Sequence, residues 1–397
     1  MTSTADYLLS AAAVRERCGT VLASAERGET QHFRLMLERL DDVIERVAAV
    51  TRRRFPDLKV PPHSRWRHFD TGGIDRAALV APDAKPAERA RAKLDLAIVS
   101  VLLDAGAGAS WRYRERETGL VLSRSEGLAV ASLRAMQEGL FSADPAQPWR
   151  ADAAALAAIS AEELGGAFQH ASTNPLGGLE GRALLLRRLG DVIAAQPKIF
   201  GAPARLGNLY DFWQPQRASL AAPEMLRVIL RALGSIWPSR LVLDGVPIGD
   251  SGRHGAVPGD GIVPLHKLSQ WLVYSLIEPL AEAGFNIIDI DGLTGLAEYR
   301  NGGLFIDCGV IVPRDGDRLR RPLDPFDEPV VEWRALTVVL LDLLAERVRE
   351  RLGLSAAEFP LARVLEGGSW AAGREIALER RPGGEAPLQI ASDGTLF

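Results

Sequence analysis

The 397-residue sequence predicts a mainly α-helical protein with a small extended element at its C-terminal end. Three observations lead to this class. Apolar residues recur every three to four positions over 4–26, 30–53 and 331–352, the period of an amphipathic helix. The second half of 86–105 and the stretch from Lys267 to Glu278 are almost uniformly uncharged, so these helices belong inside the protein. Strand signals are few: a short strand at 240–244 and a weak apolar–polar alternation over 375–397.

In chain order, Leu8, Leu9, Val14, Cys18, Val21 and Leu22 form the first helical stripe, and Gly28 is placed to end that helix. Phe33, Met36, Leu37, Leu40, Val43, Ile44 and Val47 form the second. Prolines 56, 61 and 62 then impose an extended connector. A helix follows over 86–105, and another over 124–141 with Ser125 as its expected N-cap. Residues 142–162 read as a surface connection plus a short helix, 179 onward and 223–236 as helices, and 240–265 as a long Gly/Pro-rich loop. Long loops in compact domains are often functional. The chain is expected to be one large helical domain over 1–397; a subdivision into 1–150 and a motif-bearing 151–397 stays open.

Apolar content of 47% and charged content of 25% suit an ordinary globular core. A net charge of −4 provides no overall attraction to nucleic acid or to an anionic membrane surface. The N-terminal segment lacks a basic region followed by an apolar one, and no apolar run nears the roughly eighteen residues of a membrane span. Cys18 and Cys308, far apart, read as free buried thiols of a reducing compartment, so the expected location is cytoplasmic. No Cys/His spacing resembles a metal site, and no metal or other cofactor is implied by the residue types.

The richest stretch is 263–309. His266, Gln270, Tyr274 and Glu278 recur every four residues and stack on one face of an otherwise apolar helix. Buried polar groups need hydrogen-bond partners, so this face is expected to line a cavity. Asp289, Asp291, Glu298, Tyr299 and Arg300 follow among glycines. A carboxylate here could stabilise an oxocarbenium-like centre or activate water, with Arg300 holding an anion; an internal Glu298–Arg300 ion pair is the plainer alternative. HSRWRHFD (63–70) groups Arg65, Arg67 and His68 around Trp66 and Phe69, either a surface loop or an arginine site for phosphate beside an aromatic face. Asp104 ends an apolar helix ahead of Trp111, and Arg124 and Glu126 open the next helix. NPLGGLEGR (174–182) is a weak anion loop without the Walker lysine. Glu332 and Arg334 open a late buried helix, and LEGGSWAAGRE (365–375) offers Glu366, Trp370 and Arg374 for salt bridges that dock the C-terminus.

Several of these motifs occur together and in order: SRWRHFDTGGIDR, RSEGLAVASLRAMQEGLF, NPLGGLEGR, VPLHKLSQWLVYSLIEPL, DGLTGLAEYRNGGL, EWRALTV, LEGGSWAAGR and the final SDGTLF. Together they resemble the uracil-catabolism protein 4 family, from about residue 7 to the C-terminus. The resemblance implies a role in a pathway that degrades uracil through a nucleotide and a ribosyl-urea intermediate to urea. About a quarter of the chain also resembles queuosine-nucleotide N-glycosylases. The shared motifs are Lys267-Leu-Ser-Gln270, Leu293-Thr-Gly-Leu-Ala-Glu298-Tyr-Arg300 and Glu332-Trp-Arg334. That family implies a helical fold similar to helix-hairpin-helix DNA glycosylases, with an acid at the sugar. The chain departs from it in having Glu298 where the motif has Asp. A shift of about 1 Å in a reacting group is consequential, so Asp291 and Asp104 stay open as the working carboxylate.

The expectation is hydrolysis of an N-ribosidic bond in ribosyl-urea or a related ribosyl nucleotide. Glu298, Asp291 or Asp104 is the acid, and Gln270 and Lys267 fix sugar or phosphate. Arg65, Arg67 and Arg300 are phosphate ligands, Trp66 and Trp111 flank the planar ureido group, and His266 and Tyr274 face the metabolite. His68, Arg124, Glu126, Tyr299, Glu332 and Arg334 complete the binding set. The expected partner is a small ribosyl or uracil-derived metabolite, without nucleic acid or membrane; self-association stays open. An amidohydrolase acting on the ureido group, and a non-catalytic nucleotide-binding or scaffold subunit, are the alternatives.

Overall fold

A computed structural model describes residues 3–237, 241–316 and 321–391. The described residues are 55% helical, and their strands form pairs of two or three residues each. It divides into two compact units, each assembled from segments distant in sequence. Among the described residues no helix is long and apolar enough to cross a membrane.

The first unit comprises, of the described residues, 3–63, 241–270, 289–316 and 321–391. Its axis is the Glu328–Leu352 helix, against which the Ala11–Glu26 and Leu40–Arg54 helices pack. Val331, Trp333, Leu336, Leu340, Leu344 and Val348 supply the buried face, spaced as a helical stripe requires. A second close pair is formed by the Tyr299–Asp307 and Trp370–Arg380 helices. Their contact depends on Gly373: a Cβ there would lie 2.3 Å from the Arg300 carbonyl oxygen, so only a residue without a side chain admits this approach.

The second unit comprises, of the described residues, 64–237 and 271–288. The Pro86–Leu102 helix is its centre, buried without interruption from Leu94 to Leu102, and the Arg124–Gln137 helix packs along it. The Ala153–Ala158 helix lies on the Leu179–Ala194 helix. Asp95, fully buried in the central helix, is held by Arg205 and by the Gly207 amide; burial drives its carboxyl up, to about 6, against the pull of Arg205. Among the described residues the Lys267–Glu282 helix has its first turn, through Gln270, in the first unit and the remainder in the second.

Several local expectations change. Residues 33–35 are a strand, not helix: Phe33–Leu35 pairs antiparallel with Ile311–Pro313, and the Phe33 amide donates to Glu332 at 2.9 Å. The helix begins at Leu40. The first helical stripe breaks at Leu8, because Ser10 in extended conformation caps a new helix from Ala11. Ser123, rather than Ser125, stands at the N-cap of the Arg124–Gln137 helix, while the Ser125 hydroxyl donates to Asp104. At the C-terminal end, residues through Arg380 are helical, burying Ala371, Ala372, Gly373, Ile376 and Ala377. Among the described residues the β-bridge at this end joins Leu323 and Ile390. The 240–244 strand becomes a Val242–Leu243/Val246–Pro247 hairpin, with residue 240 outside the described residues, as is the final SDGTLF.

Two measurements test this packing. Gly373→Ala places a methyl against the Arg300 carbonyl and is expected to destabilise the protein by roughly 1–3 kcal/mol, although Ala favours an isolated helix by about 1 kcal/mol; thermal unfolding reads the sign. The second concerns Glu115, fully buried in the second unit between Arg76 and Arg134. Burial alone would raise its carboxyl, but hydrogen bonds from Arg76, Thr118 and Arg134 overcome this and hold it at about 2, below its ordinary 4.5. A lowered folded-state value means stabilisation present above about pH 4.5 that is lost as pH falls towards 2. Glu115→Gln should therefore lower stability at pH 7 by roughly 3–5 kcal/mol and flatten the acid limb of a denaturation series between pH 5 and 2. An acid limb matching that of the unsubstituted protein would show that Glu115 does not carry it.

Candidate functional site

The carboxylate-rich turn predicted at 289–300 leads directly into the N-terminus of the Tyr299–Asp307 helix. Glu298 is the N-cap in extended conformation, 9% exposed. Its two carboxylate oxygens accept the Arg300 amide at 2.8 Å and the Asn301 amide at 2.6 Å. The two backbone donors at the helix end fix the position of this carboxylate. With one amide on each oxygen, lone pairs remain for a further contact. The alternative internal ion pair with Arg300 is not formed among the described residues.

Arg300 turns the other way. Its guanidinium carbon lies 4.9 Å from the centre of the Tyr299 ring and 5.1 Å from that of Trp370. Trp370 arrives from a neighbouring segment in which a π-helical turn, Leu365–Ser369, precedes the Trp370–Arg380 helix. Such turns are frequent at functional sites. Here the turn lets Ser369 donate to Asn301 Oδ1 at 2.9 Å and Glu366 meet His63 at 2.8 Å and Arg54 at 3.2 Å. Arg374, one turn further on, also lies over the Trp370 ring, at 5.9 Å.

The rest of the polar stripe supports this turn. Gln270 accepts the Thr294 amide at 2.7 Å and donates to the Thr294 hydroxyl at 2.6 Å and the Leu265 carbonyl at 3.2 Å, so its amide pins the turn before Glu298. Arg334 donates bidentately to Asp250 at 2.8 and 2.7 Å and reaches the Ala297 carbonyl. Asp250 also accepts the Lys267 amide. Burial would raise the Asp250 carboxyl, but Arg334 holds it below the usual range. Glu332 bridges the Phe33 amide and His254 at 2.9 and 3.0 Å. His266, buried, donates from Nε2 to the Leu8 carbonyl, and burial lowers its imidazole pKa. Asp291 binds Arg349 at 2.9 Å and the Leu361 amide at 2.7 Å, anchoring the Leu361–Val364 helix. Of the three acids expected at the sugar, Glu298 alone has its carboxylate contacts made entirely to backbone amides.

The second unit gathers another group of expected residues. Arg65, fully buried, donates to Ser100 at 2.7 Å and Asp104 at 2.7 Å, and lies 5.6 Å from the Trp271 ring. His68 meets Arg65 at 3.3 Å and packs edge-on to Trp271. Ser125 completes Asp104 at 3.1 Å, and Arg124 beside it adopts φ +54°, a strained value for a side-chain-bearing residue. Glu126 lies in the same first helical turn and contributes an attractive electrostatic contact to Arg65. Trp66 and Arg67 line a cleft of about 530 Å³ with Asp70, Lys93, Glu278 and Glu282. Trp111 and Tyr274 are wholly buried, and the Trp111 indole donates to the Phe168 carbonyl. Among the described residues no group of three or more His, Cys, Asp or Glu is placed to hold a metal ion.

Sequence reasoning missed Asp250, Thr294 and Ser369 as supports. The signal for Asp250 was a lone acid in a long Gly/Pro-rich loop; Thr294 and Ser369 carried none, because their roles depend on partners 24 and 68 residues away.

Comparison with known proteins places this arrangement in a family. The family profile described as "Protein of unknown function (DUF1688)" matches residues 7–397. The chain is 40% identical to Protein urg3 of Schizosaccharomyces pombe over the full length of both. It is 36% identical to Uracil catabolism protein 4 of Lachancea kluyveri, covering 98% of each chain. With a whole-chain profile match and full-length relatives, the chain belongs to the DUF1688 family.

Proposed function

We propose that this protein acts in uracil catabolism by hydrolysing the N-ribosidic bond of a ribosyl-ureido compound. The pathway rests on the relative named Uracil catabolism protein 4, at 36% identity over nearly the whole of both chains. The reaction rests on one observation: Glu298 is a carboxylate fixed at a helix N-terminus by two backbone amides. As the C1–N bond breaks, positive charge develops on the ribosyl ring. A preorganised carboxylate at that carbon stabilises the transition state more than the ground state. Water then adds its hydroxyl to C1 and its proton goes to the departing nitrogen, giving ribose and urea from ribosyl-urea. Asn301 and Gln270 act at one remove: the first links the helix start to Ser369, the second holds Thr294, so the carboxylate does not drift. A fold similar to helix-hairpin-helix glycosylases belongs to the same reading.

A second assignment is favoured by the Asp104 cluster, in which a carboxylate sits with a buried arginine and His68. In that version Asp104 is the working acid and Glu298 a helix cap alone.

Incubation of the purified protein with ribosyl-urea and its 5′-phosphate, with release of sugar and of ammonia followed in time, tests the proposal. Sugar and urea should appear, and Glu298→Gln should lower kcat by roughly 100-fold or more while lowering stability by only about 1 kcal/mol through the weakened cap. Full activity in that variant with loss in Asp104→Asn transfers the role to Asp104. Ammonia ahead of sugar indicates an amidohydrolase, and binding without turnover indicates a nucleotide-binding or scaffold subunit; either result sinks the N-ribosidic reading.

A further inference from the structure

Arg300 is 5% exposed, yet its Nε and Nη1 have no hydrogen-bond partner among the described residues. Most buried arginines in this chain are bonded to a carboxylate or to carbonyls: Arg76 to Glu115, Arg205 to Asp95, Arg334 to Asp250, and Arg182 to the carbonyls of 103, 105 and 106. A guanidinium taken out of water without such partners is costly. The nearest acid in sequence does not relieve it, because the Glu298 oxygens face backbone amides. The Tyr299 and Trp370 rings hold the guanidinium in place by cation–π contact, but rings cannot accept hydrogen bonds from its in-plane N–H groups as an anion's oxygens do. What results is a cation whose buried Nε and Nη1 lack hydrogen-bond partners among the described residues, two residues from the proposed catalytic carboxylate.

We propose that Arg300 binds the phosphate monoester of the substrate, so that the compound turned over is a phosphorylated ribosyl-ureido species and not the free riboside. A planar guanidinium presents its N–H donors as a fork that phosphate oxygens accept bidentately. The sugar part of this inference rests on the N-ribosidic reading; the anion part does not, and the test separates them by reading binding without turnover.

The full-length protein, Arg300→Met and Arg300→Lys are titrated by calorimetry with ribose 5-phosphate, ribose and 3-ureidopropionate, and each apo form is melted. The unsubstituted protein is expected to bind ribose 5-phosphate roughly 10- to 100-fold more tightly than ribose, the value of a charge-assisted hydrogen bond. Arg300→Met should lose that preference, and Arg300→Lys should recover part of it. The apo Tm of Arg300→Met should equal or exceed that of the unsubstituted protein, since an unpaired buried charge has been removed. Retained phosphate preference in Arg300→Met, tighter binding of 3-ureidopropionate than of ribose 5-phosphate, or a marked fall in the apo Tm of both variants would each overturn the inference. Arg300-dependent phosphate binding without hydrolysis leaves this inference standing and removes only the N-ribosidic reading. Hydrolysis of free and phosphorylated substrate with equal kcat/KM does the reverse.

Discussion

Arg334 donates two parallel hydrogen bonds to Asp250 from within the longest helix of the chain, at a point where the residues on every side are buried. A charge placed there alone would be expelled or neutralised. Paired bidentately, it becomes a fixed point for two other segments. The Asp250 side chain takes the Lys267 amide, its backbone carbonyl takes the Leu265 and His266 amides, and Arg334 Nε reaches Ala297. The start of the Lys267–Glu282 helix and the residue preceding Glu298 are therefore set by one ion pair. His266 shows the force of this constraint. It adopts φ +48°, unfavourable for a side chain, and is held there by its amide on Asp250 and its ring on Leu8.

Around that fixed point the polar groups of the first unit fall into two kinds. Glu332, Asp291, Asp250 and Gln270 each have their capacity taken by partners that hold backbone segments together. Satisfied networks of this kind rigidify a core and specify its geometry. Glu298 and Arg300 differ. The acid meets backbone amides only, and the base has nitrogens with no partner among the described residues. Local rules are broken at functional sites when the surrounding structure is rigid enough to sustain the breach. The Asp250–Arg334 pair, the Gln270–Thr294 clamp and the close helix contact at Gly373 supply that rigidity.

Much of the architecture was legible in local pattern. The stripes read over 4–26 and 331–352, observed as helices at Ala11–Glu26 and Glu328–Leu352, and the uncharged helix after Lys267 needed only the 3.6-residue period and the rule that apolar surfaces are buried. The errors share one cause. Phe33 carries the apolar spacing of a helix but becomes a strand, because its amide and carbonyl are taken by Glu332 and Thr30 and its strand by residues 311–313. Ser125 has the chemistry of a cap but is drawn to Asp104. Residues 375–380 alternate weakly, yet they lie on the Trp370–Arg380 helix because its small side chains allow it to meet the Tyr299–Asp307 helix. In each case a tertiary partner outweighed a local preference worth at most about 1 kcal/mol.

By itself the sequence determined the helical class, the uncharged helix with its polar stripe, and a turn dense in carboxylates ahead of Arg300. These depend on residue type and spacing within a dozen positions, which is the range over which backbone period and propensity act. Which acid is tied down and which is left with open lone pairs was decided only by the tertiary structure. Asp291 is claimed by Arg349, 58 residues on, and Glu332 by the amide of Phe33, 299 residues back. Such pairings are chosen by the packing of distant segments and carry no local signature, so the surroundings of the three candidate carboxylates became distinct only once the chain had folded around them.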